Sequence, residues 1–277
     1  MKLIIAATLL LLAMAPASFA GLDSLFYQPD HRVYATPAQD GFAYEAVEFH
    51  SADGTRLTGW FIPAKGKALG TVIHYHGNAQ NMTAHYSFVS WLPASGFNLF
   101  LFDYRGYGES EGKPSRRGVY EDSVAALEYV KSRTDIDQNK LIVFGQSIGG
   151  ANAISVVGQN QFDGIAGIAT DSAFSSYRRV ACDHAGWLKP IAFCLIGNNL
   201  SPEKYVGNIA PTPLLIIHGT QDPVAPYKHA KRLYEKAGEP KQLWTVEGGG
   251  HTSALGPDRS TYTPRLYAQF VEWVSDE

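Results

Sequence analysis

The chain has 277 residues, of which 45% are hydrophobic, 18% charged and 12% aromatic, and its net charge is −3. That composition excludes a largely disordered chain, and so weak a charge gives no electrostatic footprint for nucleic acid. Only two cysteines are present, Cys182 and Cys194, which excludes a disulfide-dense scaffold and a four-cysteine zinc site.

Residues 1–20 read as a secretory signal peptide. Lys2 supplies the positive charge, and residues 3–15 are an apolar run interrupted only by Thr8. The run is short for a span, which needs ~20 apolar residues. Pro16 breaks it, and Ser18-Phe19-Ala20 puts small residues where a signal peptidase cuts. An uncleaved anchor is the alternative. Residue 21 is Gly, so no lipid-acceptor cysteine follows the cut. Cleavage leaves residues 21–277 as one domain, secreted or periplasmic. In an oxidising compartment Cys182 and Cys194 are expected to pair, a loop closure worth ~3 kcal/mol. Two free thiols are the alternative.

Residues 43–49 and 55–62 read as a hairpin about Asp53-Gly54. Short apolar stretches follow at 71–76, 97–103, 141–144, 164–169, 214–218 and 242–246. Continuous apolar strands predict a parallel sheet buried on both faces. Helical spacing falls between them at 81–92, 119–130, 148–158, 227–237 and 262–274. Alternating strands and helices predict an α/β doubly wound fold, with reactive residues just after the strands.

Behind the 141–144 strand stands Gly145-Gln146-Ser147-Ile148-Gly149, a G-x-S-x-G between strand and helix. That turn lifts a serine hydroxyl off the sheet, and the glycines leave room for it. A serine needs a base and a group to orient the base. Asp222 lies four residues beyond the 214–218 strand, and His251 follows Gly248-Gly249-Gly250. Asp171 is the rival acid. The oxyanion donors are assigned to the backbone N–H groups of Ile148 and Asn78, with Ala79 as the alternative if the loop is shifted by one. His74 and His76 alternate onto one strand face and invite a metal reading, but no further ligands follow at a recognisable spacing. No metal and no cofactor is expected. Arg105 reads as a structural ion pair more readily than as a carboxylate binder.

These residues resemble the α/β-hydrolase superfamily of serine hydrolases. HGNA at 76–79, FDYRGYGESEG at 102–112, GQSIGG at 145–150, HGTQDPVAP at 218–226 and GGGH at 248–251 carry the likeness, which spans residues 26–275. They resemble the branch of secreted or membrane-associated bacterial hydrolases and animal depalmitoylating α/β-hydrolase-domain proteins. That branch is grouped with prolyl-oligopeptidase-like and serine-aminopeptidase-like families. The resemblance implies an eight-stranded sheet with only the second strand antiparallel. It also implies Ser147 as nucleophile, Asp222 as acid and His251 as base. A short lid is expected at about 172–208, between the sixth and seventh strands. There Trp187, Leu188, Ile191, Phe193, Leu195 and Ile196 either line an acyl pocket or pack beneath the lid, and a Cys182–Cys194 disulfide would stiffen it.

The reading that results is a serine hydrolase of carboxylic esters or thioesters, acting on a small-molecule acyl substrate. A peripheral membrane contact is compatible with it, and the sequence does not set the oligomeric state. A serine peptidase, a metal hydrolase and a non-catalytic binding protein are the rivals.

Overall fold

From residue 70 onward apolar runs alternate with amphipathic ones, and the backbone answers with strand and helix in turn. The computed structural model describes residues 26–275; the expected signal peptide lies outside them. The strands are β1 (Gln28–Pro29), β2 (Glu45–His50), β3 (Arg56–Ile62), β4 (Gly70–Tyr75), β5 (Ala79–Gln80), β6 (Phe97–Asp103), β7 (Leu141–Gln146), β8 (Ile165–Asp171), β9 (Leu214–Gly219) and β10 (Lys241–Val246). The α-helices are α1 (Met82–Val89), α2 (Arg116–Ser132), α3 (Ile148–Asn160), α4 (Tyr177–His184), α5 (Lys189–Leu195), α6 (Lys228–Lys236) and α7 (Arg259–Val274).

Eight strands form one sheet in the order β10-β9-β8-β7-β4-β6-β3-β2. Only β3, the second strand of this sheet in chain order, runs against its neighbours. The strands from β6 through β10 are joined by parallel ladders. This is the α/β-hydrolase arrangement that the sequence led us to expect.

The central strands β4, β6, β7 and β9 are buried along their whole length. Side chains alternate between faces with period two. Ile73, Val143 and Ile216 therefore pack with α2 and α3, through Leu127, Val130, Ile154 and Val157. Val72, Ile142 and Ile217 pack on the opposite face with α1 and α7, through Tyr86, Val89, Leu266 and Phe270. Each large side chain so buried contributes roughly 1.5–3 kcal/mol relative to exposure.

Capping residues set where helices begin. α2 starts three residues before the predicted 119, because the Ser115 hydroxyl accepts the Gly118 N–H at 3.1 Å. Asn81 caps α1 and Ser176 caps α4 in the same way. Arg105 is an ion-pair hub, as read from the sequence: it binds Asp122 at 2.8 Å and Asp53 at 2.8 Å. The two-residue pair β1–β5 was not predicted. It sets Gln28 against Ala79, and so ties the start of the described chain to the loop after β4.

The expected disulfide is corrected: Cys182 and Cys194 are both free thiols. Cys182, on α4, directs its sulfur to the Lys189 carbonyl at the start of α5, 3.7 Å away. Cys194 lies five residues further along α5, ~7.5 Å at the helical rise of 1.5 Å per residue. It is exposed to solvent. The sequence spacing brings the two residues onto neighbouring helices but not into bonding register.

Candidate active site

The elements converge on the C-terminal edge of the sheet. Ser147 follows β7 directly and caps α3 with φ 53° and ψ −117°, a backbone conformation that costs of order 1–3 kcal/mol. Its neighbours permit it because they lack side chains. A Cβ on Gly145 would lie 2.5 Å from the Gly149 carbonyl oxygen, and one on Gly149 would lie 2.0 Å from that of Tyr75. The Ser147 N–H donates to the Asp171 carbonyl at 2.8 Å, which holds the turn to β8.

The turn places the Ser147 hydroxyl 3.0 Å from His251 Nε2. His251 Nδ1 lies 2.8 Å from Asp222 Oδ2. The other Asp222 oxygen accepts the N–H groups of Val224 and Ala225 at 2.8 and 2.9 Å. Ser147 and Asp222 are both buried, and the His251 side chain is 23% exposed. Burial by itself would raise the Asp222 carboxyl. Hydrogen bonds from His218 and His251, with the Ala225 N–H, outweigh it and hold the carboxyl well below the usual carboxylate range. A hydroxyl, an imidazole and an ionised, buried carboxylate in this sequence can activate the serine for attack on a carbonyl.

The glycines before His251 let it reach this position, and a second contact secures its loop. Thr252, with φ 52°, donates its N–H to the Ser172 hydroxyl at 2.8 Å. Ser172 itself sits at φ 60°, directly after Asp171. Asp171 is not the partner of His251. Its side chain bonds Ser172 at 3.2 Å, and burial pushes its carboxyl up to about 6.

Ile148 begins α3 beside Ser147, and its N–H stands at the positive end of the helix. Asn78 lines the same cavity as Ser147 and Ile148. Its carbonyl accepts the Tyr107 hydroxyl at 2.6 Å, and its side chain accepts the Gln28 N–H at 3.0 Å. Ala79 is outside the cavity lining and belongs to the β1–β5 pair.

Beside Ser147 opens a cavity of about 480 Å³. Leu188, Ile191, Leu195 and Ile196 line it, as the sequence suggested, together with Phe26, Phe174, Val180 and Val224. Trp187 and Phe193 do not. Trp187 is 86% exposed, and Phe193 faces away from the cavity beneath the Arg178 guanidinium, 4.7 Å from its ring centre. The short α5 helix offers only one face to the interior, so its apolar residues cannot all reach the cavity. Sequence reasoning missed Phe174 and Phe26. Phe174 lies three residues past β8, where the strand-end rule points. Phe26 arrives only through the β1–β5 pair, which no local pattern announces.

His74 stacks on Phe144 and bonds Gln146 at 3.2 Å. His76 packs against Tyr104 and Tyr107, with Asp103 at 3.4 Å. Among the described residues no three His, Cys, Asp or Glu side chains converge as a metal donor set.

The family model for the prolyl oligopeptidase family matches residues 84–277. The chain belongs to that family. It is 44% identical over 236 residues to the protein YfhR of Escherichia coli O157:H7, covering 84% of this chain and 81% of that one. It is 35% identical over 218 residues to the α/β hydrolase domain-containing protein WAV2 of Arabidopsis thaliana, covering 73% of this chain and 69% of that one. Among solved structures, the esterase Pf2001 of Pyrococcus furiosus superposes with a TM-score of 0.75 at 22% identity, covering 89% of this chain and 97% of that one. An α/β hydrolase of Vibrio vulnificus gives 0.73 at 21% identity, over 92% and 94%. These likenesses establish the α/β-hydrolase fold and a hydrolase of this family.

Proposed function

We propose that this prolyl oligopeptidase family member is a serine hydrolase of carboxylic esters or thioesters. The apolar cavity beside the Ser147 hydroxyl carries this reading. Its lining contains no Asp or Glu to receive a substrate amino terminus, and apart from Asn78, Ser147 and His184 it is built from aliphatic and aromatic side chains suited to an acyl group.

The contacts support the following course of reaction. His251 Nε2 takes the Ser147 proton as the oxygen attacks the carbonyl carbon. Asp222 keeps the His251 proton on Nδ1 and stabilises the imidazolium that forms. The Ile148 and Asn78 N–H groups receive the oxyanion, each such donor being worth roughly 2.7–4 kcal/mol. His251 returns its proton to the leaving alcohol or thiol. Water, deprotonated by the same His251, then attacks the acyl-enzyme and frees Ser147. Residues 1–20 support action outside the cytoplasm.

The test is an acyl ester and thioester series run beside aminoacyl amides on the purified protein, with Ser147→Ala as control. Ester or thioester turnover that Ser147→Ala abolishes is the expected result. Turnover of the amides alone would make the chain a peptidase, and full activity in Ser147→Ala would end the serine mechanism.

A further inference from the structure

The segment joining α4 to the end of α5 has an unusual surface. Residues 186–191 and 193–195 are all exposed, and they include Trp187, Leu188, Ile191, Phe193 and Leu195. Trp187 is 86%, Ile191 53% and Phe193 57% exposed. Five large apolar side chains exposed within nine residues mark an interaction site rather than ordinary surface. Leu188, Ile191 and Leu195 also line the cavity beside Ser147, so the apolar face and the cavity are continuous.

Charge borders this face on one side. A recess of about 210 Å³ opens beside Phe193, lined by Arg179, Lys228, Arg232 and His229, with Cys182 and Asp183. Asp183 is already engaged by Lys228 and by His229, and Arg179 is paired with Glu203. Arg232 has no acidic partner among the described residues. Lys189, next to the exposed Trp187 and Leu188, adds a cation at the tip. This basic surface stands out on a chain whose net charge is −3.

We infer that the α4–α5 face docks on an anionic lipid surface, its apolar side chains entering the acyl boundary and the Arg179–Lys228–Arg232 recess receiving a lipid headgroup. Trp beside Lys is the pairing suited to a membrane interface, with the indole at headgroup depth and the ammonium among the anions. No helix among the described residues is long and apolar enough to cross a membrane, and the contact inferred for this face is a peripheral one. The site's chemistry supports the choice of a lipid. An acyl chain leaving the bilayer at this face meets Leu188 and Ile191 first, and passes along apolar walls to Ser147. A partner protein would have no use for that continuity.

The inference extends the hydrolase reading but is tested without it. Purified protein is floated with vesicles of phosphatidylcholine alone or of phosphatidylcholine with phosphatidylglycerol. The expected result is flotation with the anionic vesicles, weakened by salt. Trp187→Ser combined with Phe193→Ser should reduce partitioning by ten-fold or more. Neither side chain lines the cavity, so a soluble short-chain ester and the circular dichroism spectrum should be unchanged and report that the variant is folded. Arg232→Glu should lower binding at least roughly five-fold, the worth of one basic side chain near an anionic surface. Ser147→Ala should float like the parent, which separates failure of docking from failure of the hydrolase reading. Absence of flotation, or equal flotation of parent and double variant, overturns the inference. So does a dimer in solution that the double variant dissociates, since the face would then be covered by a second copy.

Discussion

Replacing Asp222 by Asn changes one atom and should remove most of the activity. The reason lies in how the carboxylate is held. One oxygen accepts two backbone N–H groups, from Val224 and Ala225, at 2.8 and 2.9 Å. An amide placed here must keep its oxygen on those donors, because turning it would set NH₂ against two N–H groups. Its NH₂ therefore faces His251 Nδ1, where Asp222 Oδ2 stood at 2.8 Å. His251 Nδ1 must then accept, and the ring proton moves to Nε2. That nitrogen, 3.0 Å from the Ser147 hydroxyl, can no longer take a proton. The same change in serine proteases lowers kcat ~10⁴-fold, equivalent to about 5 kcal/mol. The assay is steady-state hydrolysis of a short-chain chromogenic ester by the parent, Asp222→Asn and Asp171→Asn. We expect a fall of 10³ to 10⁴ in kcat for Asp222→Asn with little change in KM, and less than ten-fold for Asp171→Asn. Parent-like turnover in Asp222→Asn, or equal losses in the two variants, would refute the assignment.

Asp171 has its own signature, in stability. Burial raises its carboxyl to about 6, against an ordinary value of ~3.9. Between those values the folded chain holds a proton that the unfolded chain has lost. The stability this contributes is full below ~3.9 and is lost as pH rises to about 6. Asp171→Asn cannot ionise, so its stability relative to the parent should increase from pH 4 to pH 7 by up to about 3 kcal/mol; urea titrations at both pH values giving a constant difference would contradict this. Cys182 and Cys194 are free, so reductant should leave the Tm unchanged and two reactive thiols should titrate per unfolded chain; a fall in Tm with reductant would restore the disulfide. Ile191→Trp adds bulk to the cavity wall and should lower kcat/KM for the longest acyl esters about ten-fold while sparing acetate esters. In the parent each added CH₂ that still fits should raise kcat/KM by up to about four-fold, since burying it is worth ~0.8 kcal/mol; a flat chain-length profile would show that this cavity does not hold the acyl chain.

The parts of the fold legible in the sequence are those that local physics dictates. β6 is legible at its observed bounds because its seven consecutive positions are buried and all but Asn98 and Asp103 are apolar. Ser147 was legible because steric exclusion at Gly145 and Gly149 leaves no other residue type there. Asp222 and His251 were legible by rank order along the chain, each just past a strand. α2 was placed three residues short because its first turn, Arg116 to Gly118, carries no apolar residue, and only the Ser115 cap declares it. The β1–β5 pair gave no signal, since two residues cannot show a period.

The region between β8 and β9 was the least legible, for a physical reason that bears on function. Apolar spacing predicts burial only where a core exists to receive it, and α5 has too little sheet beneath it. The rule that apolar residues turn inward thus correctly placed Leu188 and Ile191 at the cavity and misplaced Trp187 and Phe193. The same reasoning failed for the cysteines: spacing put them on adjacent helices, but the free Cys182 thiol is satisfied by the Lys189 carbonyl. In a chain whose other large side chains are mostly buried in two cores on either face of the sheet, an apolar segment left outside calls for a different solvent. For the proposed hydrolase of acyl compounds, a lipid surface would supply that solvent and deliver the substrate to the same opening.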